Sequence, residues 1–253
     1  MSATLFEQTK IDIEEAYEKN NLIKMEKESL FVFGQVFHMM LSVFSDRLKG
    51  ITFSKDGFDI EEAFLISNKN KQNLLKILKC ITRMKLPASD LEFGKLKIDV
   101  ERWYNELGGE EMYFEYHEEY LLTPKEAAKQ LDVSTVTLNK YVKQGFEVMD
   151  TTSHHKVPKH SIALWKDPVY VIRMQMLAQE KKLRHQTPEE RLHELLGEIG
   201  ELQKQYHVKT ISEAFTKYEI IDLDSLDDPA DFRKWADLEE EKEMLMKEMI
   251  GGS

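Results

Sequence analysis

The chain has 253 residues, of which 42% are hydrophobic and 32% charged, with 46 acidic against 35 basic side chains and a formal net charge of -11. Such a composition excludes a disordered polyelectrolyte and leaves room for a buried core shared among two or three modules. The lone cysteine, Cys80, excludes an intramolecular disulfide, and the start MSATLFEQTK lacks the basic and apolar regions of a secretory signal, so a reducing, cytoplasmic setting is expected.

From the N-terminus, residues 4–50 carry apolar side chains at spacings of three and four, from Leu22 and Met25 through Phe33, Phe37 and Met40 to Phe44 and Leu48. That period predicts helix as far as Gly50. The most apolar stretch, residues 30–44, holds Gly34, Gln35, His38 and Ser42 and falls short of the roughly 20 residues a membrane span needs, so it predicts a buried helix and no membrane. A second helical stretch ends ahead of Pro87, because the residue before a proline avoids helical geometry. Residues 87–119 are read as a connector, with FGKLKIDV and MYFEYH alternating like strands around a helical ERWYNEL.

The stretch from residue 120 is the best punctuated. Thr123, Pro124 and Glu126 form a capping box with proline at the first helical position, which starts a helix at Pro124. Asp132-Val133-Ser134 supplies a tight turn, Ser134 caps a second helix from Thr135 to about Lys143, and Gly145 suits the left-handed stop that follows. Two such helices across three turn residues fit a helix-turn-helix. The sequence EVMDTTSHHKVPKHSIALW then predicts a strand, a polar tip and a return strand. Charge marks the same region: residues 120–167 hold seven basic and five acidic groups, whereas residues 1–119 hold 16 and 22, and residues 168–253 hold 12 and 19.

Leu122-Thr123-Pro124-Lys125-Glu126-Ala127-Ala128, with Leu131, Val133-Ser134, Thr137-Leu138, Tyr141-Val142 and Gly145-Phe146, resembles the winged helix-turn-helix of excisionase and MerR-type DNA-binding proteins. The resemblance covers residues 120–166 and implies a reader of double-stranded DNA whose second helix enters the major groove. Carried over by position, it implies base contacts from Thr135, Val136, Thr137, Asn139, Lys140 and Lys143. Phosphate contacts would come from Lys125, Ser134, His154, His155, Lys156 and Lys159. The chain departs from the family's pattern where Thr135 replaces an arginine, Asp132 a glycine, and Ser153 to Lys156 a tip of arginines or glycines.

Beyond Asp167 further helices are predicted, one opened by the capping box Thr187-Pro188-Glu189-Glu190 and a last one from Pro229. Their apolar stripes, Leu192, Leu195, Leu196, Ile199 and Leu202 in one and Phe232, Trp235 and Leu238 in the other, lie on an acidic background and suit docking to a partner or self-association. Neither His154, His155 and His160 nor the acidic run Asp222, Asp224, Asp227 and Asp228 has the spacing of a metal site, so no metal is expected. No phosphate loop, zinc-protease helix or nucleophile elbow is present, and no cofactor or enzymatic activity is expected.

The expectation is therefore a mainly α protein. It has a helical, dimerising region 1–86, a connector 87–119, a winged helix-turn-helix 120–167 and acidic amphipathic helices 168–253. Its expected role is a sequence-specific transcriptional regulator, homodimeric because one short recognition helix makes few base contacts. Two alternatives stand beside it. One is an antitoxin-like layout whose acidic helices neutralise a basic protein partner while the DNA-binding part autoregulates, and the other is a plasmid-segregation or architectural DNA-binding protein.

Overall fold

A computed structural model of the protein describes residues 3–54, 59–84, 86–150, 155–218 and 230–251. The fold is mainly α and divides into two units, Met1–Glu180 and Lys181–Ser253. The segments 1–86, 87–119 and 120–167, separated in the sequence reading, all lie in the first unit.

The first unit opens with α1 (Ala3–Glu18) and α2 (Leu22–Val43). Asn20 between them takes a left-handed conformation at φ 48°, and the Asn21 side chain accepts the Lys24 amide, so the expected helical run is two helices. It also ends early. Leu48–Phe53 is a strand, β1, paired antiparallel with β2 (Met112–Tyr116), whose Met112, Phe114 and Tyr116 face the core. MYFEYH is thus a strand as its alternation predicts, and its partner β1 begins inside the run of residues 4–50 whose period predicts helix.

After a short α3 (Glu62–Leu65) come α4 (Asn68–Arg83), capped by Ser67, and α5 (Asp90–Glu106), opened by a Ser89–Glu92 capping box. Residues 93–100, strand-like in sequence, are the middle of α5. The difference has a physical cause. α5 is enclosed on nearly every side and buries Lys97 and Glu101 along with Phe93, Leu96, Val100 and Trp103, so its polar residues do not mark a solvent face. Trp103 stacks on Phe33 at 3.9 Å and donates its indole N–H to the buried Asn70 side chain at 2.7 Å.

Further along the chain come β3 (Leu121–Leu122), α6 (Pro124–Leu131), α7 (Thr135–Lys143), β4 (Met149–Asp150), β5 (His155–Pro158), α8 (Lys159–Trp165) and α9 (Pro168–His185), whose residues up to Glu180 belong to the first unit. The strands form a sheet in the order β3-β5-β4, both pairings antiparallel. The expected return strand therefore stops at Pro158, and SIALW is helical, burying Ser161, Ile162 and Leu164.

In the second unit α10 (Pro188–Tyr206), α11 (Ile211–Tyr218) and α12 (Ala230–Gly251) enclose a core of Leu195, Ile199, Leu202, Ala214, Phe232, Trp235 and Leu238. A bidentate pair between Arg191 and Glu241, both bonds 2.6 Å, ties α10 to α12. Asp222, Asp224, Asp227 and Asp228 lie outside the described residues. No helix among the described residues is long and apolar enough to cross a membrane.

Candidate nucleic-acid interface

Local chemistry builds α6 and α7 as the sequence predicts. The Thr123 hydroxyl accepts the Glu126 amide at 3.3 Å while the Glu126 carboxylate accepts the Thr123 amide at 2.8 Å, and Pro124 occupies the first turn. Asp132 closes α6 in the left-handed region at φ 55°, the place where the resembling family carries glycine. Ser134 then accepts the Thr137 amide at 3.1 Å and starts α7.

The buried side of this substructure is small and dense. Ala127, Ala128, Leu138, Phe146, Val157 and Ile162 form its core, with Trp165 edge-on to Phe146 at 5.2 Å. Solvent meets Thr135, Val136, Asn139, Lys140 and Lys143, which repeat at helical spacings and so share a side of α7. Val136 is 67% exposed, an aliphatic side chain left in water on a helix that buries Leu138. Thr137 is only half-buried, and its hydroxyl is 3.0 Å from that of Ser134, so both belong to the cap as much as to the surface.

Cations surround this stripe unevenly. Lys125 and Lys129 are placed one turn apart on α6, and with Lys140 and Lys143 they form no ion pair among the described residues. On the sheet, by contrast, Lys156 is half-buried and paired with Glu118, and Lys159 sits at the start of α8 with its ammonium 6.0 Å from the Tyr120 ring. These two have attachments of their own. His155 is exposed on β5, and His154 lies outside the described residues.

His160, grouped with the wing histidines in the sequence, is instead completely buried. Its Nε2 lies 3.0 Å from Glu147, which also takes the Lys97 ammonium at 3.0 Å and the Tyr116 hydroxyl at 2.8 Å. Lys97 reaches Glu101 at 3.1 Å as well. The His160 amide donates to the Tyr120 hydroxyl at 3.1 Å, and that hydroxyl donates to Asp90, itself paired with Arg47 at 3.0 Å. Nδ1 of His160 has no hydrogen-bond partner among the described residues.

Burial alone would push the Glu147 carboxyl up. Lys97 and His160 beside it prevail and hold it well below the ordinary carboxylate range. Burial also works against the Lys97 charge, but Glu101 and Glu147 keep that ammonium above its ordinary value. Tyr116 is pushed up by burial and by Glu147. No spacing in the sequence announces this network; its members come from α5, β2, α8 and the turn after α7, and only the Lys97–Glu101 separation of four is a local signal.

The network, together with one close helix crossing, fixes α7 on the helical body. A Cβ at Gly94 would lie 2.9 Å from Leu164, so α5 and α8 approach as closely as they do because position 94 has no side chain. At the end of α7, Gly145 adopts φ +103°, and a Cβ there would meet the Met174 carbonyl at 2.9 Å and Ala178 at 2.8 Å, both on α9.

The apolar stripes expected to dock a partner face each other inside the second unit. Leu195, Ile199, Leu202, Phe232, Trp235 and Leu238 are buried in its core; Leu192 is half-buried and Leu196 is 52% exposed. Two amphipathic helices of one chain thus pack their stripes on one another. Comparison with family models, with curated proteins and with solved structures gave no match.

Proposed function

We propose that residues 120–166 are a winged helix-turn-helix that reads double-stranded DNA, with α7 in the major groove and β4–β5 against the backbone. In this reading the protein is a cytoplasmic, homodimeric transcriptional regulator. The observation that supports it is the α7 surface: Asn139 and Lys140 offer hydrogen bonds, and Thr135 and Val136 offer methyls, to base edges. Lys143 on the same helix and Lys125 and Lys129 on α6 have no ion pair among the described residues. A helix with one face packed and the other presenting those groups has the chemistry of a groove reader.

Fluorescence anisotropy of a labelled duplex at two salt concentrations tests it. Each lysine that neutralises a phosphate should add about 0.9 to the slope of log affinity against log salt, so Lys125→Ala should lower that slope by about 1. Affinity independent of salt would contradict the proposal. The antitoxin-like alternative loses support from the second unit, whose stripes are occupied by its own core, leaving Leu196 and an acidic surface for a basic partner. An architectural or segregation role would show itself as spreading along the duplex.

A further inference from the structure

A second concentration of cations lies away from α6 and α7, in a cleft of about 90 Å³ between α4, α5 and α9. Lys69 and Lys76 come from α4, Arg102 from α5 and Arg173 from α9; against these four stand two carboxylates, Asp99 and Glu106. Each carboxylate is shared by two cations. Glu106 takes Lys69 at 2.7 Å and Arg102 at 3.1 Å, while Asp99 takes Lys76 at 2.6 Å and Arg173 at 2.7 Å.

The carboxylates thus gather and orient the cations without neutralising them, leaving two positive charges in excess in a chain of net charge -11. Donors are left over as well. Arg102 uses its Nε on Glu106, and Arg173 uses Nη1 on Asp99 and on the Tyr170 hydroxyl at 3.3 Å, so each guanidinium keeps N–H groups with no hydrogen-bond partner among the described residues. The side chains of Asp99 and Glu106 are each less than one-fifth exposed, so the two carboxylates that hold the cations are shielded from water more than those of a surface pair. Buried Trp103 and Ile77 add apolar surface to the lining of the cleft.

We propose that this cleft binds a small, free dianionic oxyanion, inorganic phosphate or the phosphoryl group of a small metabolite, bridging α4, α5 and α9. A cleft of this size has room for a single tetrahedral oxyanion among the four cations. Two excess charges match a dianion. Arginine suits the bidentate geometry and the two lysines supply mobile point charges.

The test is calorimetric titration of the full chain with inorganic phosphate at constant ionic strength, comparing the wild type with Lys69→Gln/Lys76→Gln. These lysines are more than half exposed, and removing them leaves Glu106 with Arg102 and Asp99 with Arg173, so the fold should be kept. The expected result is saturable binding that weakens at least about tenfold in the double variant, with the same melting temperature in phosphate-free buffer and the same duplex affinity. A wild type with no saturable binding, or a double variant binding phosphate as well as the wild type, would overturn it. A parallel loss of duplex affinity would also overturn it, in favour of a contact to a DNA backbone phosphate. If the fold of the double variant is lost, Arg102→Lys, which keeps the charge but not the fork, replaces it and should weaken phosphate by several-fold; an unchanged affinity there sinks the proposal. Phosphate binding requires no DNA, so this site and the α7 reading can fail separately.

Discussion

Glu147 sits two residues beyond the glycine that ends α7 and holds Lys97, His160 and Tyr116 from three other elements. Removing its charge leaves the Lys97 ammonium buried with Glu101 alone, so Glu147→Gln should destabilise the first unit by about 3–5 kcal/mol in urea unfolding. The pH dependence has a definite sign. A carboxyl whose folded pKa is depressed contributes stability above its ordinary value of 4.5 and loses it as pH falls through the folded value, so the wild type should weaken progressively in acid below about pH 4.5. Glu147→Gln should flatten that dependence, and an identical acid profile in the two proteins would show that Glu147 is not the group responsible. Two residues before Glu147, Gly145→Ala should cost about 1–3 kcal/mol, because φ +103° strains any side chain and the new methyl meets the Met174 carbonyl. The capping residues Thr123, Ser134 and Thr187 were legible because capping is a local bond between residues three apart. Glu147 and His160 were not, because their partners are 13 to 50 residues distant and become neighbours only when α8 lies on α5.

Among the elements, helices with strong caps and one-sided stripes were readable, while α5 and α8 were not. α5 has no solvent stripe to set its phase, and α8 follows a strand after a single proline. Two glycines on helices separate packing from propensity. Gly34 on α2 has nothing within 4 Å of the place a Cβ would take, so Gly34→Ala should stabilise by about 0.5–1 kcal/mol through helix propensity alone. Gly94→Ala gains the same propensity but drives a methyl to 2.9 Å from Leu164, and overpacking of about 1–3 kcal/mol should make it net destabilising. Chemical denaturation of the two variants side by side checks the pair; equal effects would mean that α5 and α8 are not in close contact. The same crossing carries α7, so Gly94→Ala is also expected to disturb the presentation of Asn139 and Lys140 without touching either.

At the level of the whole molecule, the core is divided differently from what the sequence suggested. The second unit has its own aromatic centre in Trp235 and Phe232, so Trp235→Ala should cost about 3–5 kcal/mol there while the transition of the first unit keeps its midpoint. Tryptophan fluorescence and far-ultraviolet dichroism followed through urea should then separate into two transitions. The net charge of -11 is compatible with the proposed DNA binding by residues 120–167, which carry a surplus of two positive charges, because exposed charges more than about 8 Å from a phosphate are screened at physiological salt. The acidic remainder should instead lower nonspecific affinity and leave binding dependent on groove contacts. Selection of bound duplexes from a random pool by the full chain tests that dependence most directly. A reader of the proposed kind returns a short motif, repeated as two half-sites by a homodimer, and Asn139→Ala or Lys140→Ala relaxes it at one base for about 1–3 kcal/mol. Recovery of no motif by the wild type, or an unchanged motif in both variants, would contradict the assignment of α7 as the reading helix.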